Sequence, residues 1–103
     1  MTIYDISLSI SSNLPTWPGD PALELEQIQS MSKGAPVNVT KINSSVHIGT
    51  HIDAPRHFFN DGATIEQLPL EVLTGPCYVA QLPDGIEAIT SEVLDRMEIN
   101  SEM

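Results

Sequence analysis

Proline is the residue type that most restricts how this chain can fold, because it has a fixed φ and no backbone N–H to donate. The sequence has eight prolines among 103 residues, the first at residue 15 and the last at residue 83. Three of them lie in residues 11–21, around Trp17. Neither a helix nor a central strand can pass through that segment, so we predict an ordered surface loop there. A chain of this length forms one small domain at most.

In several segments without proline, apolar and polar residues alternate, as is typical of half-buried strands. We predict strands over residues 3–10, 23–31, 37–39, 46–53 and 77–82, with a turn at residues 33–36 between the second and the third. In the first of them Ile6, Leu8 and Ile10 share one face, which we expect to be the buried one.

Two short helices are predicted among these strands. Thr64 and Gln67 have the spacing of a capping box, and the helix that they begin ends before Gly75. A second helix begins near Thr90, where Thr90 or Ser91 can cap its first turn. Strands mixed with short helices indicate a protein of the α/β class.

The charge balance excludes several kinds of partner. Fourteen acidic residues against four basic ones give a net charge of -10, and the basic residues are widely scattered. Nucleic acids and anionic membrane surfaces are therefore not expected partners. Apolar runs are too short to span a membrane, and the first ten residues lack the basic start of a signal peptide. The single cysteine, Cys77, is expected to be a small buried side chain in a reducing, cytoplasmic compartment.

The strongest functional signal is the clustering of all three histidines, His47, His51 and His57, within eleven consecutive residues. The i, i+4 spacing of the first two would suit a helical metal-binding pair, but Gly49 and the β-branched residues around it favour an extended chain. On a strand, His47, His51 and Asp53 share one face, and Gly49 leaves room between the two imidazoles. The opposite face carries residues that can pack on the core: Val46, Ile48, Thr50 and Ile52.

Two imidazoles and one carboxylate form a ligand set that suits Zn²⁺, Mn²⁺ or Fe²⁺ and leaves a position open for water. We therefore predict a catalytic metal site at His47, His51 and Asp53. His57 follows four residues after Asp53, close enough to reach a metal-bound water, so it is assigned proton transfer. The alternative for any one histidine is a structural side chain, and His57 in a loop could instead hydrogen-bond Asp61 or a carbonyl.

Trp17 has two interpretations. A tryptophan between prolines can cover a core, or it can bind an aromatic substrate if it lies exposed beside a metal. Asp20 and Asp61 are typical turn residues. Scattered glutamates are predicted to be solvated: Glu24, Glu26, Glu66, Glu71, Glu87, Glu92, Glu98 and Glu102.

Residues 47–57 match the H-x-G-T-H-x-D-x-P-x-H signature of the cyclase-like metal-dependent hydrolases, the family that includes the bacterial kynurenine formamidases. The sequence resembles the N-terminal half of that family beyond the signature as well. The other matching segments are residues 5–7, 15–20, 36–38 and 75–77. The resemblance therefore covers nearly the whole chain.

This resemblance implies a swivelling β/β/α fold, a mixed sheet with short flanking helices, assembled as a homodimer or larger oligomer. It also implies that His47, His51 and Asp53 hold one or two divalent ions, Zn²⁺ in first place and Mn²⁺ as the alternative. His57 would be the general acid/base, and Trp17 would face the substrate. Family members extend beyond residue 103 and add a His and a Glu to the metal centre. Residues 1–103 are thus expected to be the N-terminal part of a single such domain, or a shortened relative.

The expected function is metal-dependent hydrolysis of an amide-type C–N bond in a small molecule. The first candidate substrate is N-formyl-L-kynurenine, hydrolysed to L-kynurenine and formate in tryptophan degradation. A cyclic amide such as isatin is the alternative substrate. Outside the enzymes, the alternatives are a metal-binding fragment or oligomerisation module without turnover, and a purely structural domain.

Overall fold

The computed structural model of the protein describes residues 1–97 and Ile99. The chain divides into two compact units, Met1–Gln67 and Leu68–Met103. The predictions for Glu98 and Glu102 fall outside the described residues, and the six other glutamates predicted to be solvated are exposed.

The first unit contains a two-stranded antiparallel sheet of β1 (Glu24–Gln29) and β2 (Val39–Asn43). The pairing places Glu24 opposite Asn43 and Gln29 opposite Val39, with an irregularity after Gln27 that leaves one extra residue in β1. The predicted strand over residues 23–31 is confirmed. The next strand begins at Val39, two residues later than predicted, and continues to Asn43.

The connection between β1 and β2 contains the 3-10 turn Met31–Lys33, which ends at Gly34. Gly34 has a φ of 94°, a left-handed conformation that glycine adopts without strain. The Asn38 side chain accepts a hydrogen bond from the Met31 backbone N–H at 2.8 Å. The turn predicted between the two strands is therefore confirmed.

Residues 3–10 do not form the predicted strand. The Asp5 carboxylate accepts the backbone N–H of Ser7 at 2.9 Å, together with the Ser7 hydroxyl, and the chain bends at Ser7. These side-chain and backbone hydrogen bonds lower the pKa of Asp5, and they compete with strand pairing for the backbone donor. The next donor, the Leu8 N–H, bonds to the hydroxyl of Thr50 at 2.8 Å.

Residues 46–53 also lack the predicted strand. Ser45 Oγ accepts the His47 backbone N–H at 3.1 Å, and Gly49 has a φ of 61°, which no extended strand contains. The predicted inward face is wrong too, since Val46 and Ile52 are exposed and only Ile48 is half-buried. The local hydrogen bond and the left-handed glycine therefore determine the structure of this segment, although its residues alternate as in a strand.

Three further 3-10 turns are Pro55–His57, Ile65–Gln67 and Leu70–Val72. At the predicted capping box, the Gln67 side chain accepts the Thr64 N–H at 3.0 Å, while the Gln67 N–H bonds to the Thr64 carbonyl. The reciprocal bond of a full capping box is therefore missing, and the predicted helix is a single turn.

The second unit contains helix α1 (Ser91–Arg96), as predicted, and Thr90 caps it by accepting the Val93 N–H. The predicted strand over residues 77–82 is absent from the described part of this unit. A strand needs a neighbouring strand to satisfy its backbone, and none is present there to pair with it. Cys77 is exposed, so its predicted burial is wrong.

Among the described residues, Leu23 is the only buried apolar side chain, and apolar residues in both units are largely exposed. In the predicted first strand, Ile6 is 90% exposed, so the expected buried face is not buried. The chain is a small α/β protein with one two-stranded sheet and few helices. No helix within residues 1–97 and 99 has the length and apolar character needed to cross a bilayer.

Candidate metal centre

His47, His51 and Asp53 form a compact group in the first unit. Their nitrogen and carboxylate ligand atoms all lie within 4.8 Å of one another. Nδ1 of His47 lies 2.9 Å from Oδ1 of Asp53, and Nε2 of His51 lies 3.4 Å from the same oxygen. All three side chains are partly accessible, with between 27% and 39% of their surface exposed. The group is thus open to a small ion and to water.

The backbone brings these side chains together through turns rather than through a strand face. Gly49 has a positive φ, and the chain bends there between the two histidines. Nδ1–H of His51 donates to the Gly49 carbonyl oxygen at 2.9 Å. This bond selects the tautomer in which Nε2 of His51 carries the free lone pair, as required of a metal ligand.

The distances within the group fit a divalent ion. Ligand atoms about 2.0–2.1 Å from a tetrahedral zinc lie about 3.3 Å apart. Nε2 of His51 lies 3.4 Å from Oδ1 of Asp53, close to that value, while Nδ1 of His47 is hydrogen-bonded to the same oxygen at 2.9 Å and leaves Nε2 of His47 for an ion. Two imidazoles and one carboxylate are also the donors that Zn²⁺ and Mn²⁺ accept. The residues present therefore fit a bound divalent metal.

His57 lies directly against this group. Its ring centroid is 3.8 Å from that of His47, with an angle of 38° between the planes, and Phe58 packs edge-on against His57 at 4.5 Å. The 3-10 turn Pro55–His57 holds the ring there, with proline at the first position of the turn. The Arg56 N–H anchors the turn by donating to the Ala63 carbonyl at 3.1 Å.

The ligand group, His57 and Phe58 line one cavity of about 590 Å³ with a mostly apolar surface. Trp17 and Pro15, from the proline-rich loop, form part of its wall, and Trp17 is 75% exposed. The structure therefore brings all five residues singled out from the sequence to the same cavity: Trp17, His47, His51, Asp53 and His57.

Two further cavity residues were not assigned a role from the sequence. Phe58 lines the cavity and directly follows His57 in the chain. An aromatic residue next to the predicted proton-transfer histidine is the sequence feature that could have indicated it. Asp20 does lie in a turn, as predicted, with its N–H donating to the Trp17 carbonyl at 2.9 Å. It also lines the cavity, which a turn pattern cannot reveal.

Asp61 lies outside the cavity lining, in the turn closed by the hydrogen bond from the Gly62 N–H to the Phe59 carbonyl at 2.8 Å. No hydrogen bond joins Asp61 to His57 among the described residues. The alternative in which His57 hydrogen-bonds Asp61 is not the arrangement found.

The fold and the site together define a small α/β protein with a candidate site for a divalent metal. A comparison with protein families matches residues 4–102 to the family model Cyclase, described as "Putative cyclase". The match covers nearly the whole chain, and the chain belongs to the cyclase family. Kynurenine formamidase is a member of this family, and its members are metal-dependent. Family membership indicates an enzyme with a hydrolase- or cyclase-like function.

Proposed function

We propose that this protein is a metal-dependent amidohydrolase that cleaves the formamide of N-formyl-L-kynurenine to give L-kynurenine and formate. The observation that carries the proposal is the His47, His51 and Asp53 group, with its ligand atoms within 4.8 Å, on the wall of a cavity that also contains aromatic side chains. A divalent ion bound there would lower the pKa of a bound water and polarise the formyl oxygen.

His57 supplies the proton transfer in this proposal. Its ring stacks on His47 and lines the same cavity, so it is within reach of a water held beside the ligand group. The imidazole accepts a proton as the water oxygen adds to the formyl carbon. It returns that proton to the aryl nitrogen as the C–N bond breaks, which makes the amine a better leaving group.

Trp17 binds the substrate ring in this proposal. An exposed indole on a cavity wall offers a flat apolar face, and aromatic pairs are stabilised by about 0.5–1.5 kcal/mol beyond the area that they bury. The Trp17 face and the catalytic histidine line one cavity. An anilide substrate can therefore stack its ring while its formyl group approaches the ligand group.

The proposal also includes features that rest on the family resemblance. These are Zn²⁺ as the metal, with Mn²⁺ as the alternative and one or two ions, a swivelling β/β/α fold, a cytoplasmic location and a homo-oligomeric assembly. The exposed apolar side chains support the assembly, because contact with another copy would remove them from water. The partner in catalysis is a small-molecule amide, with no role for nucleic acid or membrane.

The test combines metal content with turnover. We expect the protein purified without added metal to hold close to stoichiometric zinc or manganese by elemental analysis, and His51→Ala to lose it. His57→Ala should keep its metal but lose about 10²–10⁴-fold in turnover, measured as the absorbance of L-kynurenine formed from N-formyl-L-kynurenine. Unchanged turnover in His57→Ala would show that the role of this residue is wrongly assigned.

Two other functions are separated by the same assays. Hydrolysis of isatin in preference to the formamide, in a substrate competition, would indicate a cyclic-amide hydrolase. Metal binding without hydrolysis of either compound would indicate a non-catalytic metal-binding protein. If His51→Ala changed neither metal content nor stability, the histidine cluster would be purely structural.

A further inference from the structure

Asp20 is placed in the cavity by the loop that also carries Trp17. The Asp20 N–H donates to the Trp17 carbonyl at 2.9 Å, so the two side chains project from one tight turn. Asp20 is half-buried, and both side chains line the cavity that contains His47, His51 and Asp53. Asp20 therefore lies on the same part of the cavity wall as Trp17.

This carboxylate has no partner in the part of the chain that the structure describes. It does not belong to the group of ligand atoms within 4.8 Å, which consists of His47, His51 and Asp53. No hydrogen bond or ion pair within residues 1–97 and 99 uses the Asp20 side chain. A half-buried carboxylate against apolar surface gains free energy when a ligand supplies a donor to it.

The charges along the cavity define which ligand group suits it. Asp20 and Asp53 both line it, and none of its lining residues in the described chain is lysine or arginine. Asp53 belongs to the candidate ligand group and lies 2.9 Å from Nδ1 of His47, which leaves Asp20 as the carboxylate outside that group. Trp17 and Phe58 add aromatic surfaces, which also attract cations. The part of the wall outside the ligand group, where Asp20 and Trp17 lie, therefore favours a ligand that combines an aromatic ring with a positive charge.

We propose that Asp20 binds the ammonium group of the substrate and so restricts the enzyme to aromatic amides that carry a cationic amine. This inference rests on the proposed function, which it makes more specific. N-formyl-L-kynurenine has both an α-ammonium and an α-carboxylate. By this assignment the ammonium is the group recognised by Asp20, and no lysine or arginine of the described chain lines the cavity to pair with the α-carboxylate.

Three ligands test the assignment without relying on turnover. L-Kynurenine has both charged groups, kynuramine keeps the ammonium but lacks the carboxylate, and 4-(2-aminophenyl)-4-oxobutanoic acid keeps the carboxylate but lacks the ammonium. Binding is followed by quenching of the fluorescence of Trp17, which is the single tryptophan of the protein. The proteins compared are the wild type, Asp20→Asn and the control Asp61→Asn, which removes an exposed turn carboxylate outside the cavity.

The wild type should bind kynuramine at least as tightly as L-kynurenine and bind the acid that lacks the ammonium about tenfold more weakly. Asp20→Asn should weaken binding of both amines by about tenfold and leave the acid unchanged, while Asp61→Asn should behave as the wild type. Equal losses for all three ligands in Asp20→Asn would overturn the assignment, as would wild-type protein that binds none of them at millimolar concentration.

The same measurements separate this inference from the proposed function. Discrimination by Asp20 without any formamide hydrolysis would leave the ammonium site standing and refute the hydrolase. Hydrolysis of N-formyl-L-kynurenine with the same KM in the wild type and in Asp20→Asn would support the hydrolase and refute the ammonium site.

Discussion

Gly49 links the backbone to the candidate metal centre in two ways. It has a positive φ at a bend between His47 and His51, and its carbonyl accepts the Nδ1–H of His51. A Cβ at this position would lie 3.6 Å from the Leu14 side chain, an ordinary contact. The requirement for glycine therefore comes from the backbone conformation and not from lack of space.

Gly49→Ala should destabilise the fold by about 1 kcal/mol, because a left-handed conformation is unfavourable for a residue with a Cβ. If the backbone relaxes, the Gly49 carbonyl moves away from His51, and zinc affinity should fall about tenfold, as is typical when a hydrogen bond to a ligand is lost. Competition with a chromogenic chelator measures the affinity. Gly34→Ala is the matched control, since Gly34 also has a positive φ but lies in the connection between the strands. An equal loss of affinity in both variants would indicate general destabilisation instead.

Each element of the chain forms where its local hydrogen bonds are complete. Helix α1 has an N-cap at Thr90, an acidic residue in its first turn and Arg96 in its last. The β1–β2 hairpin has a glycine-ended turn and a paired partner for each strand. Residues 77–82 have strand-like alternation but no paired neighbour in the described chain, and they remain irregular.

Thr90→Ala should weaken helix α1 by about 1 kcal/mol, because the Val93 N–H loses its side-chain acceptor. A six-residue helix is marginal without such help. The helical Cα secondary chemical shifts of residues 91–96, measured by NMR, should decrease clearly. Ser91→Ala is the control, because the structure assigns the cap to Thr90 and not to Ser91. Equal decreases in the two variants would contradict this capping assignment.

At the scale of the whole molecule, the described chain buries little apolar surface. Leu23 is its only buried apolar side chain, while Ile3, Tyr4 and Ile6 are each at least 80% exposed. Burial of apolar surface is the main term that offsets the conformational entropy lost on folding. Stability is therefore expected to depend on covering this surface, which favours the proposed assembly with further copies of the chain.

Light scattering coupled to size-exclusion chromatography should accordingly find at least two chains per particle. Ile6→Asp should shift the protein toward a single chain, because a charge would replace an apolar side chain that is 90% exposed in the described chain and would be buried on assembly. Ser9→Asp adds the same charge at an exposed polar position of the same segment and should leave the assembly unchanged. A wild-type protein that stays monomeric at millimolar concentration would refute the assembly.

The parts that could be predicted from the sequence are those decided by near neighbours along the chain. Each of these features involves residues no more than seven positions apart. They are the turn at Gly34, the cap at Thr90 and the ligand group at His47, His51 and Asp53. The three side chains of the ligand group come together as expected, although the predicted strand is wrong. Closely spaced side chains can meet through a bend at Gly49 as well as along a strand face.

What only the tertiary structure decided is which distant segments share a surface. The loop with Trp17 and Asp20 lies along the same cavity as His57 and Phe58, although about forty residues separate them. Likewise, the Thr50 hydroxyl accepts the Leu8 N–H, and the predicted first strand is absent. The local sequence pattern indicates which secondary structure each segment prefers. Contacts between segments depend on how all of the segments compete for the same backbone donors and apolar surface. Asp20 consequently lies on the wall of the cavity that contains the candidate ligand group, where the sequence alone indicated only a turn.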